Sequence, residues 1–584
     1  MLKKSSSLAA ALILLGSICF SSRAQQQPQS NTEPASETTV GAITGRVVND
    51  RGEPMAGASV SVRALGVNYS RQTITDAEGN FRLAGLEPAL YTVNSFAPAY
   101  VLQPPPPNTS TPFYRIGDSV RLELIKGGVL TGTVTNATGE PVVGIRVRGL
   151  RVRDAEGRAP RAGVFAFGDR PTDDRGVFRL YGLIPGTYLV FAGGGGGQQS
   201  IQLNPYENDV PTYSPSSTRD TAVEYSVRSG EETTADIRYR NDPGRTISGT
   251  VRVAAAQNSA SVQLFSNDGS VMPVASAFQT PGARGFAVTG VPDGEYLMYA
   301  QEVPGGLQAG PVVLDLSVSE VKRVSVKGAD VTGIELTPRP LSVISGAVVL
   351  EPSKAPECQG KRKPLFAEMM IELQRNEKDS ESMLPFQRVA ANVPSVDAKG
   401  AFMMRNITPA RYRFNPRFYA RYWYLQSITT GASPATAAAK TSAAKNDAAA
   451  NWTAVRAGEQ LSNVTITLAA GAASIRGKIA VAEGATTPAG AAVYLVPEER
   501  EDVLRYFVAE VSADGAFTLN NLPPGRYWSL LQTSPQAEIA TLTKLRLPES
   551  AEVRTKLRRA AEAQKSDVEL KPCQTLADYQ LSAK

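Results

Sequence analysis

The sequence predicts an all-β protein of five tandem small antiparallel β-sandwiches in an elongated array. Three observations carry that prediction. A Phe precedes a Tyr by 10 residues five times, as Phe81 and Tyr91, Phe178 and Tyr188, Phe286 and Tyr296, Phe402 and Tyr412, and Phe517 and Tyr527. A fixed offset between variable loops marks a repeated structural unit. Around each pair the same parts recur in the same order, and the segments are short, alternating in polarity and bounded by Gly, Pro and Asp, the pattern of strands in a sandwich.

The parts follow one another in a set order. Each copy opens with a β-rich run holding a Gly: Ile43-Thr-Gly45, Leu130-Thr-Gly132, Ile247-Ser-Gly249, Ile344-Ser-Gly346 and Ile475-Arg-Gly477. A second run follows, such as Ala58 to Val62 or Ala491 to Leu495. An Asp/Gly turn then leads to the Phe, at Asp76 to Gly79, Asp174 to Gly176, Asp397 to Gly400 and Asp514-Gly515. Asp bonds its own backbone there and Gly accepts positive φ. Next to Phe178, Arg179 and Leu180 alternate with the period of a half-buried strand. Pro185-Gly186, Pro292 to Gly294 and Pro524-Gly525 reverse the chain before the Tyr. The closing strands are Val120 to Leu124, Asp236 to Tyr239, Val331 to Leu336, Val464 to Leu468 and Asp567 to Leu570. Gly117, Gly230, Gly328 and Gly458 precede four of them. The Phe is expected in the core, where burial stabilises by about 1.5–3 kcal/mol. The Tyr is expected to bury its ring and keep its hydroxyl bonded at the sheet edge.

The signature I-x-G-x-V, P-x-x-G-A-x-V, D-x-x-G-x-F-x-L and L-x-P-G-x-Y resembles the carboxypeptidase regulatory-like domain family. Ile43 to Val47, Pro54 to Ala58 and Asp76 to Leu83 show it in the first copy. The resemblance implies a transthyretin-like (prealbumin/immunoglobulin-like) or starch-binding-like sandwich, of the kind attached to zinc carboxypeptidases. It implies a fold more than a function, because sites are grafted onto folds.

The expected divisions are a signal peptide at 1–24, a disordered leader at 25–40, sandwiches at 41–126, 127–241, 244–338, 341–469 and 471–572, and a C-terminal tail at 573–584. Lys3 and Lys4, the apolar run Leu8 to Phe20 and Ser22-Arg23-Ala24 read as an export signal. That run is too short to span a bilayer, which takes about 20 residues. Export would place the chain in the periplasm, on the outer surface or outside the cell. Removing Lys3, Lys4 and Arg23 leaves a net charge near +3 from the formal +6, no warrant for a nucleic-acid partner. The fourth sandwich carries insertions at Glu351 to Pro364 and Ala432 to Ala450, the latter expected to be unstructured or a frayed helix. Residues 549–564 have the composition of a short surface helix. Cys358 and Cys573 remain after processing and are able to pair in an oxidising compartment.

The chain contains no His. The usual general base, the usual triads and the usual zinc ligands are therefore missing, and no catalytic residue, metal or cofactor is expected. One stretch, Arg411 to Tyr424, departs from the repeat. Alternation after Pro416 places Phe418, Ala420, Tyr422 and Tyr424 inward. It places Arg417, Tyr419, Arg421 and Trp423 outward as a basic-aromatic stripe, suited to stacking on sugar faces; an edge strand or a domain–domain contact would use the same residues. The sequence thus points to an exported, non-enzymatic binder of polysaccharide or an envelope component. A structural spacer with protein partners only is the alternative.

Overall fold

The computed structural model describes residues 40–582 apart from 66–68, 105–111, 159–168, 195–204, 268–272, 284, 305–314, 377–395, 432–446, 481–486, 489, 500–501, 513 and 534–550. The expected signal peptide lies outside the described residues. Among the described residues the strands form ten sheets, and these come in pairs, each pair enclosing a hydrophobic cluster of its own.

The first sandwich shows the plan. One sheet runs Asn80–Leu86, Gly41–Asn49, Ser119–Lys126, Tyr100–Leu102; the other runs Ser70–Ile74, Ser59–Ala64, Tyr91–Phe96. Val60 and Val62 point inward, as do Phe81 and Leu83, and they meet between the sheets. Pairing is antiparallel except that the opening and closing strands run parallel, here Thr44 opposite Ser119. The same parallel pair recurs in the other four copies.

Every Phe and Tyr of the repeat is buried, none more than 6% exposed. The Phe stands directly across the antiparallel ladder from the Gly of the opening strand: Gly45 with Phe81, Gly132 with Phe178, Gly249 with Phe286, Gly346 with Phe402, Gly477 with Phe517. A Cβ on that Gly would lie 1.9–2.5 Å from a carbonyl oxygen of the closing strand, and in four copies 2.6–3.0 Å from the Phe ring. Only a hydrogen fits there. The Tyr closes the unit with the same hydrogen bond five times. Its hydroxyl donates to the carbonyl four residues upstream, at Glu87, Ile184, Pro292, Thr408 and Pro523, over 2.6–2.9 Å.

Two turns differ from the reading of the sequence. In the second copy Asp173, not Asp174, holds the turn, its Oδ1 accepting from the backbone N–H of Arg175 and Val177. Asp76 and Asp397 do the same, five residues before the Phe. In the fifth copy that position is Ser512, whose hydroxyl donates to the Ala516 carbonyl.

The tail is also corrected. Thr575–Ser582 is the parallel closing strand of the fifth sandwich, whereas Asp567–Leu570 pairs antiparallel with Gly525–Thr533. The turn before each closing strand needs a left-handed residue. Gly117, Gly230, Gly328 and Gly458 supply it, and Cys573 does so in the fifth copy at φ 56°. Without a Gly to announce it, the strand went unread. The end of the second insertion is not loose either, because Ala448 and Ala449 pack into the fourth core. The expected helix is present as Ala551–Gln564.

Burial pushes the hydroxyls of Tyr91, Tyr188 and Tyr527 up to about 12. The unfolded chain releases these protons near pH 10 while the folded chain keeps them. Stability is therefore fully present below about pH 10 and is lost as pH rises towards about 12. The unfolding midpoint should fall across that window, and less so in a Tyr188→Phe variant. At neutral pH the same variant should lose about 1–3 kcal/mol, because the Ile184 carbonyl is left unpaired. Denaturant titrations at several pH values read both effects.

Candidate functional site

The joints between sandwiches share one device. Four residues after each Phe, the strand bulges at a left-handed residue: Gly85, Gly182, Gly290, Asn406 and Asn521. The register slips beside it in every copy. From the second copy onward this bulge abuts the preceding sandwich. Gly182 lies against Gly127, the residue between the last strand of the first sandwich and the first strand of the second, where a Cβ on Gly127 would come within 2.5 Å of it; a Cβ on Gly290 would lie within 2.4 Å of the Asn208 carbonyl. Asn406 accepts from the Leu316 N–H at 2.8 Å, and Asn521 donates to the carbonyls of Ala420 and Trp423. Gly and Asn tolerate this conformation best, and Asn adds a side chain that bonds across the joint. The fixed spacing of these residues is visible in the sequence and was the signal that sequence reasoning missed.

The basic-aromatic stripe does not form a free surface. The strand Ala410–Phe418 ends in one sheet of the fourth sandwich. After a turn at Ala420 to Tyr422, with Tyr422 left-handed at φ 65°, Trp423–Thr429 enters the other sheet. Alternation is not carried through such a turn. Trp423 is therefore core, 4% exposed. Arg417 is buried and paired with Glu372 at 2.5 Å. Arg421 is exposed. Tyr419 is half-buried, and its hydroxyl donates to the Phe113 carbonyl of the first sandwich at 3.1 Å.

The last contact belongs to a clasp between the first and fourth sandwiches, so the array is not joined through sequential neighbours alone. The Arg115 guanidinium lies 4.9 Å from the centre of the Tyr419 ring, and its Nη1 is 3.6 Å from Glu368 Oε2. Glu368 is 4% exposed and also accepts from Arg362 Nη2 at 3.0 Å. Arg362 sits in the first insertion. That insertion is tied down by a disulfide from Cys358 to Cys573 in the fifth sandwich, with Cα atoms 5.4 Å apart, and by Lys361 over the Tyr422 ring. One polar cluster thus joins the first sandwich, the fourth and, through the insertion, the fifth.

A concavity of about 1200 Å³ lies between the second and third sandwiches. Its floor includes Leu150, Leu189 and Phe191, and its rim carries the ion pairs Arg148–Asp169 and Arg245–Asp293.

The clasp makes two checkable claims. In a double-mutant cycle, Arg115→Ala and Tyr419→Ala should couple by about 0.5–3 kcal/mol, as residues in contact do. Reduction of the disulfide should speed tryptic cleavage after Lys361 and Arg362, which mass spectrometry would locate, while the five cores stay protected.

No curated protein matches the chain. Among solved structures it is similar to the minor pilin GBS52 of Streptococcus agalactiae, with 13% identity over 34% of this chain and 96% of that one, TM-score 0.19. It is similar to the shaft pilin SpaA of Lactobacillus rhamnosus GG, with 13% identity, 34% and 98% coverage and TM-score 0.15. The Bacillus anthracis TIE protein gives 16% identity, 51% coverage of each chain and TM-score 0.13, so this chain spans about half of that protein's length. Residues 42–108, which hold Phe81, Tyr91 and the left-handed Gly85, match the family model of the carboxypeptidase regulatory-like domain.

Proposed function

We propose that this chain is an exported, non-enzymatic scaffold of the cell envelope that holds protein partners at set positions. The observation that carries the reading is the use made of the polar and aromatic side chains. Tyr419 and Arg115 join the first sandwich to the fourth. Asn406 and Asn521 bond across successive joints, and Cys358–Cys573 ties an insertion to the last strand. Residues that could have faced a ligand instead fix one sandwich to another. Supporting this, the carboxypeptidase regulatory-like match falls on the first sandwich. The composition lacks the imidazole that most hydrolytic sites use.

Polysaccharide binding through Trp423 is not part of this reading, because its ring fills the fourth core. Trp423→Ala should cost about 3–5 kcal/mol of stability as a core truncation, with no separate effect on sugar retention. A glycan array and a pull-down from envelope extract, run with the same full-length protein, test the proposal. The expected result is no retained sugar and a specific protein partner. Saturable retention of a glycan, or turnover of a peptide or glycoside lost on mutating a defined Asp/Glu pair, would overturn it.

A further inference from the structure

The sheet that carries the Tyr strand has an inner face in the core and an outer face. In the first sandwich the outer face of its central strand is polar, with Ser59, Ser61 and Arg63. In the third and fifth it is apolar, and in both the chain covers it. Phe265 and Tyr299, their rings stacked 5.7 Å apart, lie under Val318 with Leu316 and Val321. Val496 and Leu530 lie under Leu557 and Ala561 of the helix. These covers form small second cores.

The second sandwich has the same kind of outer face, built from Leu150 and Val152 on Arg146–Asp154 and Leu189 and Phe191 on Gly186–Ala192. Among the described residues none of these four joins a second core. Instead they floor the cleft against the third sandwich. The opposite wall includes Pro273 to Ser276, the start of Pro273–Gln279. That strand is the edge of its sheet, with no strand on its outer side among the described residues. At 1200 Å³ the space exceeds the about 300–1,000 Å³ of small-molecule sites.

We propose that this cleft takes an extended, apolar segment of a partner polypeptide. The segment adds a strand to the Pro273–Gln279 edge and sets alternate side chains on Leu150, Leu189 and Phe191. Edge pairing supplies affinity through the main chain, and the floor selects side chains at every second residue. A polypeptide fits better than a sugar for two reasons. The two equivalent faces are covered by polypeptide, one by a strand segment and one by a helix. The floor is mostly aliphatic, and the rings that line the cleft are not laid open as a platform: Phe191 is tilted on Tyr213 with centroids 5.0 Å apart, and Tyr213 and Tyr296 are buried. The rim pairs Arg148–Asp169 and Arg245–Asp293 can bond the polar side of such a strand. The inference rests on the scaffold reading and names where a partner docks.

The test uses the full-length protein and a panel of fluorescein-labelled heptapeptides with apolar residues at alternate positions. A further peptide is Asp315 to Val321 of this chain, part of the cover of the third sandwich, with apolar residues at its second, fourth and seventh positions. Polarisation should show saturable binding by apolar members and none by the same peptides with Ser at those positions. Phe191→Ser and Leu150→Ser should each weaken binding about tenfold or more, while amides of the second core around Phe178 keep their protection from hydrogen exchange and show the fold intact. Bound peptide should protect amides of 148–152 and 273–276 from hydrogen exchange. No saturable binding across the panel, binding unaltered in both variants, or a glycan that competes in their place would overturn the proposal. If an envelope partner is still captured by the Leu150→Ser variant, the cleft assignment fails and the scaffold reading stands.

Discussion

A Phe ring lying over a Gly is the contact on which each unit of this chain depends. The Gly lacks a Cβ, so the closing strand brings a carbonyl within reach and the ring covers the gap. The opening strand is thereby held between an antiparallel and a parallel neighbour, the join that turns two hairpins into a sandwich. Ten residues on, the Tyr hydroxyl ties the next turn to the same core. Burying the ring favours the fold through area, and the hydroxyl avoids the cost of a buried unpaired donor.

The distance from that core contact to the joint is also fixed. The bulge four residues beyond the Phe re-aims the strand and presents its left-handed residue to the sandwich before it. A Gly lets the backbones approach; an Asn bonds across. The chain therefore uses one segment for two purposes, closing a core and orienting a neighbour. Gly85 and Gly182 have the same conformation, and a Cβ on either would meet nothing within 4 Å. The clasp of Arg115, Tyr419 and Glu368 works differently. It joins sandwiches far apart in sequence through charge and an aromatic face. There the buried Glu368 carboxylate is paired with two arginines, Arg115 and the largely exposed Arg362.

The fold was legible because its determinants are local and periodic. The Phe-to-Tyr offset, the opening Gly and the closing alternation all lie within short stretches whose spacing survives variable loops. The last strand was missed because Cys573 stands where four copies have Gly, and a pattern sought by residue type overlooks a residue that adopts the same backbone. The bulge was missed because it alternates between Gly and Asn, which share a conformation rather than a class. The candidate site was far less legible. Reading Arg417 to Trp423 as one face assumed a continuous strand, and the left-handed Tyr422 breaks that continuity. Partners such as Phe113 and Glu368 lie in other sandwiches or insertions, and spacing along a chain carries no trace of them. The cleft floor of Leu150, Leu189 and Phe191 reads in sequence as ordinary strand core, since only the sheet pairing shows which face each side chain takes.

The most direct test of the Phe-on-Gly contact is residue-resolved hydrogen exchange on the full chain carrying Gly132→Ala. Added to that glycine, a Cβ would lie 2.5 Å from the Ala235 carbonyl oxygen and 3.0 Å from the Phe178 ring. Protection should fall across the strands of the second sandwich, Gly128–Thr135 and Val177–Leu183 foremost, while the cores around Phe81, Phe286, Phe402 and Phe517 keep theirs. Full protection in the second sandwich, or its loss in all five cores together, would contradict the account.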